Sequence, residues 1–285
     1  MKKWISGCFA IILFSTLAQA QTLSFTAIPD QNTARLEQRF GKVAQYLADI
    51  LKIDVKYIPV KSYSASVNAF KNDQVQLAWF GGLSGVQARR AVAGSQAIAQ
   101  GEEDQYFVTY LIAHASTGLQ RSDAFPKSIA GKTFTFGSKG STSGRLMPEY
   151  YIRQSFDQAP KSIFKRVGFS GDHSKTIALV QSGSYQVGAV NFKVWERELK
   201  EGKIDTSQVQ VIWKTPTYVD YNWTVRGDVD KKFGKGFTRK LQNALITMHD
   251  KTLLDSFPRK QFIKADNSMY APILETAMNI GIIEK

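Results

Sequence analysis

The sequence is poor in cysteine and histidine, and each scarcity excludes a class of site. Its one cysteine, Cys8, lies in the first twenty residues. If that segment is removed after export, the mature chain has no disulfide, thiolate metal site or cysteine nucleophile. Of the three histidines, His114 and His249 have no carboxylate or histidine neighbour at metal-ligand spacing. We therefore expect neither a metal ion nor another cofactor.

Long apolar runs are also scarce, and the one that exists has the layout of a secretory signal. Lys2 and Lys3 precede an apolar stretch from Ile5 to Leu17, and Ala18-Gln19-Ala20 then supplies the small residues that a signal peptidase accepts. The stretch is too short to span a membrane, and no later one reaches that length. The sequence predicts a signal peptide over residues 1–20 and a periplasmic mature chain without direct membrane insertion.

A second interpretation of the N-terminus places a lipid on Cys8. Ile5-Ser6-Gly7-Cys8 resembles a lipoprotein cleavage box. No apolar segment separates Lys3 from this box, however, so the ordinary signal peptide is favoured.

The charge is strongly basic, but the basic residues are scattered. The net charge is +13, and it falls to +11 without Lys2 and Lys3. Short clusters such as Lys231-Lys232 and Arg259-Lys260 are the exceptions. A basic balance is compatible with nucleic acid, anionic lipid or an anionic ligand. Export argues against nucleic acid, and a solvated basic surface is the simplest explanation of the charge.

Strand and helix patterns alternate along the whole mature chain. Leu23 to Ile28 alternates with period two, and the apolar residues from Leu36 to Leu51 recur at helical spacing. The alternation restarts at Lys132 after a longer apolar segment from Tyr106 to His114. No fixed-period repeat or low-complexity segment interrupts it. The pattern predicts an α/β fold in two units, each with parallel strands flanked by helices.

The most informative stretch runs from Phe136 to Arg145, between a predicted strand and a predicted helix. It contains Ser141, Thr142 and Ser143 among glycines. The first N–H groups of a helix have no intrahelical partner, and Ser/Thr hydroxyls add further donors, so such a place binds oxyanions. The spacing does not match a Walker A loop. An ordinary serine-rich N-cap explains the same residues equally well.

Further polar residues occur where a pocket would form. His173 follows another predicted strand and opens a helix, although a lone histidine there is more often a cap or surface residue. Asp220 is an acid among aromatic residues. Five aromatic residues fall in predicted loops or at strand edges, where they often line pockets: Tyr63, Tyr106, Tyr218, Tyr221 and Trp223.

The order of these pieces resembles the phosphonate/phosphite-binding periplasmic proteins of ABC importers. The resemblance covers nearly the whole mature chain. Its elements are Tyr63, Ala78-Trp79-Phe80-Gly81-Gly82, Tyr106, Gly140-Ser141-Thr142-Ser143-Gly144, Gly171-Asp172-His173 and Asp220. The chain departs from the pattern at Phe80, where a tyrosine is common, and in its unusually aromatic Asp220 loop, which leaves the ligand open.

The resemblance implies a two-lobed periplasmic-binding-protein type II fold, each lobe a mainly parallel sheet flanked by helices. Lobe 1 would comprise residues 21–113 and 221–285, and lobe 2 residues 114–220. Two hinge crossings would lie near 112–116 and 215–224. A small oxyanion would be clamped between the lobes, and the closed form would dock on a membrane permease. The implied ligand-binding residues are Tyr63, Tyr106, Ser141, Thr142, Ser143, His173 and Asp220.

Asp220 suggests which oxyanions are preferred. A carboxylate repels an oxyanion unless a proton lies between them. Phosphonate, phosphite and hydrogen phosphate carry such a proton near neutral pH, whereas sulfate and selenate do not, so phosphorus oxyanions are favoured. Four alternatives stay open. The first two are a branch of the same family that binds selenate or a related selenium or sulfur oxyanion, and a sensor subunit with the same cleft. The others are an exported hydrolase that uses Ser141 or Ser143 with His173, and a binding protein for an organic metabolite such as an amine or pyrimidine, which fits the aromatic loop but leaves the hydroxyl-rich helix start unused.

The N-terminal prediction can be tested on the exported protein. We expect mass spectrometry of the periplasmic fraction to give a chain that begins near Gln21 and contains no thiol. A lipid-modified chain that begins at Cys8 would contradict it.

Overall fold

The structure is a computed structural model that describes residues 21–284. The expected signal peptide and Cys8 lie outside the described residues. Within residues 21–284, no helix is both long enough and apolar enough to cross a bilayer.

Strands and helices alternate as the periodicity predicted. The strands are β1 (Leu23–Ala27), β2 (Val55–Tyr57), β3 (Leu77–Phe80), β4 (Gln96–Gly101), β5 (Thr109–His114), β6 (Thr133–Phe136), β7 (Arg166–Phe169), β8 (Val187–Asn191), β9 (Val209–Lys214), β10 (Asn222–Val225) and β11 (Phe262–Lys264). The α-helices are α1 (Thr33–Leu51), α2 (Tyr63–Lys71), α3 (Gly82–Ala91), α4 (Met147–Phe156), α5 (Pro160–Ile163), α6 (His173–Gln181), α7 (Phe192–Lys200), α8 (Val229–Phe233), α9 (Phe237–Ile246), α10 (Lys251–Ser256) and α11 (Ala271–Asn279).

These elements form two lobes, each built on one sheet. The sheet of lobe 1 has the order β11-β4-β10-β3-β1-β2, and that of lobe 2 the order β7-β6-β8-β5-β9. In lobe 2 the two faces of the sheet carry separate apolar cores. Leu111 of β5 belongs to one core and its neighbour Ile112 to the other, because successive strand residues point to opposite faces. The predicted two-lobed α/β fold is confirmed.

Both sheets are mixed, whereas mainly parallel sheets were expected. In lobe 1, β1 is parallel to β2 and β3, but β10 is antiparallel to β3 and β4, and β11 to β4. In lobe 2, β6 is parallel to β7 and β8, but β5 is antiparallel to β8 and β9. The antiparallel strands include β5 and β10, which enter their sheets directly from the other lobe. No crossover helix reverses the chain there, so the parallel arrangement is lost.

The chain crosses between the lobes twice, and the first crossing comes earlier than expected. It runs from Gly101 to Thr109, because β5 pairs with β8 and β9 of lobe 2. The predicted boundary after residue 113 assigned β5 to lobe 1 and is corrected here. An apolar strand has the same pattern in either sheet, so only its long-range pairing decides the lobe. The second predicted boundary, 220/221, falls within the second crossing, between Lys214 and Asn222.

The two crossings are bonded to each other and anchored to the C-terminal part of the chain. Phe107 and Tyr218 exchange two main-chain hydrogen bonds, of 2.8 and 3.0 Å. The buried carboxylate of Asp104, in the first crossing, accepts from Arg259 Nε at 2.8 Å and Nη2 at 2.6 Å. This bidentate pair fixes the first crossing to the segment that precedes β11.

The Asp104–Arg259 pair provides a test of that anchoring. Arg259→Ala leaves a buried carboxylate without its cation, so we expect the free energy of unfolding to fall by about 3–5 kcal/mol. Urea denaturation measures it. Lys203→Ala, which removes an exposed partner of Glu201, is the control and should cost less than about 1 kcal/mol. Equal losses in the two variants would show that the pair does not hold the crossing.

Candidate functional site

The strand arrangement brings most of the predicted site residues to facing edges of the two sheets. In lobe 2, the parallel neighbours β6 and β7 lead to Ser141–Ser143 and to His173. In lobe 1, the parallel strands β2 and β3 lead to Tyr63 and to the start of α3. The carboxyl ends of parallel strands meet at one edge, which is the usual place for a ligand in such sheets. Asp220 lies in the second crossing, just before β10.

Ser141, Thr142 and Ser143 form a buried turn in lobe 2, and none is more than 2% exposed. Ser141 caps the turn, since its Oγ accepts a 2.9 Å hydrogen bond from the main-chain N–H of Gly144. The turn from Thr142 to Leu146 is π-helical and continues into α4, whereas an ordinary α-helix start was expected. Such wide turns are frequent at functional sites.

A second helix start, from lobe 1, faces this turn. The N–H of Gly82 donates to Asp220 Oδ1 at 2.8 Å, and the N–H of Leu83 donates to Thr142 Oγ1 at 3.0 Å. Both acceptors lie at the positive end of α3. A Cβ atom on Gly81 would lie 3.2 Å from Asp220 Oδ1 and 3.3 Å from Thr142 Oγ1, so this approach favours glycine. Two helix starts from different lobes therefore meet around Thr142.

Asp220 is a buried acid that retains its proton unusually well. Asp220 is 1% exposed. Burial raises its pKa to about 7, although hydrogen bonds from Gly82 and Thr142 partly oppose the rise. Near neutral pH the group is therefore about half protonated.

His173 opens α6 and is a neutral donor. Burial lowers its pKa to about 4. Its Nδ1 accepts from the main-chain N–H of Asn191 at 3.2 Å, and its Nε2 lies 3.5 Å from Ser143 Oγ. Because Nδ1 accepts, the single proton of the neutral ring resides on Nε2, the atom that faces Ser143. His173 contributes a hydrogen-bond donor without a positive charge.

Tyr63 is the first residue of α2 and is 2% exposed. It packs against the loop before Ser141, since a Cβ on Gly140 would lie 3.1 Å from Tyr63 Cβ. Burial raises the pKa of its hydroxyl well above the usual value, and hydrogen bonding with Ser141 opposes the rise. The hydroxyl is therefore protonated and available as a donor at neutral pH.

Tyr106 is the predicted site residue that the structure does not bring to the cluster. It ends a short 3-10 turn in the first crossing and is 67% exposed. The next residue, Phe107, is fully buried and bonds to Tyr218 through its main chain. Phe107 rather than Tyr106 therefore points inward. The sequence located the segment but not which side chain faces the interior.

Two residues outside the predicted set support the turn. Thr109 Oγ1 donates to the carbonyl of Ser143 at 2.9 Å and lies 2.7 Å from the hydroxyl of Tyr218. Tyr218 was noted as a pocket aromatic, whereas Thr109 carried no signal because its role depends on pairing across the sheet. Trp223, also noted as a loop aromatic, is instead fully buried in the core of lobe 1.

The residues gathered at this site do not form a metal-binding group. Within residues 21–284, no group of three His, Cys, Asp or Glu side chains could hold a metal ion. The members of the site are hydroxyls, main-chain N–H groups, one neutral imidazole and one acid with a raised pKa, a set that suits an oxyanion carrying a proton.

The raised pKa of Asp220 gives a pH dependence of defined sign. Between its ordinary value of 3.8 and about 7, the folded state holds a proton that the unfolded state has released. The free energy of unfolding therefore falls as the pH rises through this window. The variant Asp220→Asn has no carboxyl group at this position and lacks this pH-dependent contribution to stability. We expect the difference in free energy of unfolding, wild type minus variant, to decrease by at most about 4 kcal/mol over this window. Urea denaturation of both proteins measures it.

The comparison with Asp220→Asn also separates the effect of His173. The lowered pKa of His173 removes stability as the pH falls below its ordinary value, which is the opposite direction. Because both proteins contain His173, its effect cancels in the difference. A difference that stays constant with pH would contradict the raised pKa of Asp220.

Comparisons with known proteins agree with this geometry. Residues 25–270 match the family described as "ABC transporter, phosphonate, periplasmic substrate-binding protein". The chain is 39% identical, over 96% of its length and 95% of the relative's, to the probable ABC transporter phosphite binding protein PhnD1 of Prochlorococcus marinus. It is 24% identical to the phosphonates-binding periplasmic protein of Escherichia coli, over 70% of this chain and 59% of that one.

Solved structures give the same result. The structure of Prochlorococcus marinus PhnD1 in complex with methylphosphonate superposes with a TM-score of 0.88 and 41% identity, covering 92% of this chain and 99% of that one. A binding protein component of an ABC phosphonate transporter from Pseudomonas aeruginosa superposes with a TM-score of 0.80, over 91% of this chain and 86% of that one. At 20% identity, the latter shows the fold alone. The chain belongs to the family of periplasmic phosphonate-binding proteins, the substrate-binding components of ABC importers.

Proposed function

We propose that this protein captures phosphite or a small phosphonate between its lobes, at the cluster of Ser141, Thr142, Ser143, His173, Tyr63 and Asp220. The observation that carries the proposal is the meeting of two helix starts from different lobes at Thr142. A tetrahedral oxyanion at this junction would receive donors from both lobes at once. PhnD1, the relative solved with methylphosphonate, supports a ligand of this size.

The balance of charge in the cluster supports a protonated oxyanion. The cluster residues include no lysine or arginine, and burial keeps His173 neutral by lowering its pKa to about 4. Neutral donors in a buried site bind an anion by hydrogen bonding, which is directional and sensitive to protonation. With its pKa raised to about 7 by burial, Asp220 can share one proton with the ligand. Phosphite and phosphonate supply that proton near neutral pH, whereas sulfate and selenate do not.

The orientation of His173 favours binding over hydrolysis. A serine nucleophile needs an imidazole whose Nε2 is free to take its proton, held by a carboxylate at Nδ1. In this chain Nδ1 accepts from the N–H of Asn191, so Nε2 already carries the proton. Ser143 therefore lies beside a donor rather than a base. In a binding protein, the closed form would present both lobes to a membrane permease, the partner expected of this family.

Calorimetric titration tests the proposed ligand. We expect phosphite and methylphosphonate to bind at least about 100-fold more tightly than selenate and sulfate, a difference of about 2.8 kcal/mol. The physical reason is that the phosphorus oxyanions bring a proton of their own to the contact with Asp220, whereas selenate and sulfate fit only the fraction of the protein in which Asp220 is protonated. Selenate binding as tight as phosphite binding would refute the proton argument and favour the selenate branch.

A matched pair of serine variants tests the location of the site. Ser143→Ala removes a buried hydroxyl from the turn and should weaken phosphite binding by about tenfold. Ser138→Ala, in the same loop but outside the turn, should change it by less than about twofold. Equal effects of the two substitutions would place the ligand elsewhere.

A further inference from the structure

A second polar cluster lies between the lobes, and its charge is not balanced by neighbouring side chains. Arg39 of α1, in lobe 1, is 4% exposed. Within the described part of the chain, its Nε and Nη2 atoms have no hydrogen-bond partner. The Nε of Arg197, on α7 in lobe 2, also lacks a hydrogen-bond partner among residues 21–284. Buried guanidinium N–H groups without acceptors are costly, so a partner of complementary chemistry is expected.

These atoms line one small cavity at the seam between the lobes. Arg39, Arg197 and Gln31 surround a space of about 10 Å³. That volume is about the size of a single water molecule or small monatomic ion. The guanidinium of Arg39 stacks at 5.2 Å over the ring of Phe257. Stacking satisfies the face of the guanidinium but leaves the N–H groups on its edge without acceptors.

The acids nearest the cavity are committed to other groups. Asp30 accepts from the hydroxyl of Tyr221 at 2.7 Å and from Gln31 Nε2 at 3.3 Å. Glu201 accepts two hydrogen bonds from Arg35, of 2.7 and 2.8 Å, and lies 3.8 Å from Arg197 Nε.

The third arginine at the cavity, Arg259, is fully engaged by Asp104. Burial lowers the pKa of Arg39 to about 10, with Asp30 opposing the fall, so Arg39 remains charged at neutral pH. The cavity is lined by four cationic side chains, Arg39, Lys193, Arg197 and Arg259, and by the acid Asp30. With Asp104, the partner of Arg259, also counted, an excess of about two positive charges remains.

An open basic groove leads to the cavity. The groove has a volume of about 930 Å³ and lies between α7 and the α10 segment. Lys193, Arg197, Pro258 and Arg259 line both the groove and the cavity. The groove is lined by six lysine or arginine side chains and three acidic ones. Its positive excess would concentrate anions at the entrance.

We propose that the seam cavity binds a small monovalent anion of halide size, held by the guanidinium groups of Arg39 and Arg197. A halide accepts from both arginines and neutralises part of the excess charge, whereas a water molecule supplies only the hydrogen bonds. The cavity is too small for a phosphonate. Because the two arginines come from different lobes, the anion stabilises their closed arrangement and thereby strengthens ligand capture.

The broadening of the chloride NMR signal, at constant ionic strength in a gluconate background, tests the site. We expect the wild-type protein to broaden the chloride signal, more so with methylphosphonate present. Arg197→Gln should weaken chloride binding by about tenfold, or about 1.4 kcal/mol. Lys200→Gln is the matched control, because it removes the same charge from an exposed position on α7 that lines the groove but not the cavity. It should weaken chloride binding by less than about twofold.

Two further measurements distinguish the possible outcomes. A crystal grown in bromide should show an anomalous peak between Arg39 and Arg197, and an ordered water without that peak would overturn the proposal. Equal chloride broadening by wild type, Arg197→Gln and Lys200→Gln would overturn it as well. The chloride titration without phosphonate does not depend on the proposed ligand, so the two proposals can fail separately. The same measurements can be made on Arg39→Gln. If that variant does not fold, Arg197→Gln decides the question, because Arg197 is partly exposed.

Discussion

The meeting of two helix starts at Thr142 is the contact on which the rest of the site depends. Thr142 Oγ1 accepts from the first turn of α3, and Asp220 Oδ1 accepts from the same turn. The first N–H groups of a helix have no intrahelical partner, and in α3 those of Gly82 and Leu83 donate to side chains outside the helix. With the two lobes in contact, Ser141, Ser143 and His173 are buried. In the proposed function, binding of the ligand and closure of the lobes would therefore be one physical event.

The protein separates its charge from its proposed ligand. The chain carries a net charge of +13, yet the cluster around Thr142 contains only neutral donors and one acid with a raised pKa. A lysine or arginine at that position would attract any anion, whereas hydrogen-bond donors and a shared proton discriminate among anions by geometry and protonation. The positive charge instead lies on the surface and along the seam near Arg39 and Arg197.

Sequence patterns located the features whose signal was local and missed those that depend on pairing over a long distance. Ser141 and His173 were predicted because each follows a strand and opens a helical turn, and the structure places both at one buried edge. Tyr106 lies exposed at the end of a 3-10 turn, away from these residues, because tertiary contacts decide which side chain of that segment points inward. The apolar segment of β5 was assigned to the wrong lobe, since its partners β8 and β9 are far away in the chain.

The sequence by itself determined the alternation of strands and helices, the two-unit α/β fold, the hydroxyl-rich turn and the family, because these depend on periodicity and short motifs. Only the tertiary structure decided the mixed sheets, the positions of the crossings, the raised pKa of Asp220 and the unbalanced arginines at the seam. Those properties arise from burial and from contacts between residues far apart in the chain. A pKa or an unpaired charge is set by surroundings that no local pattern encodes.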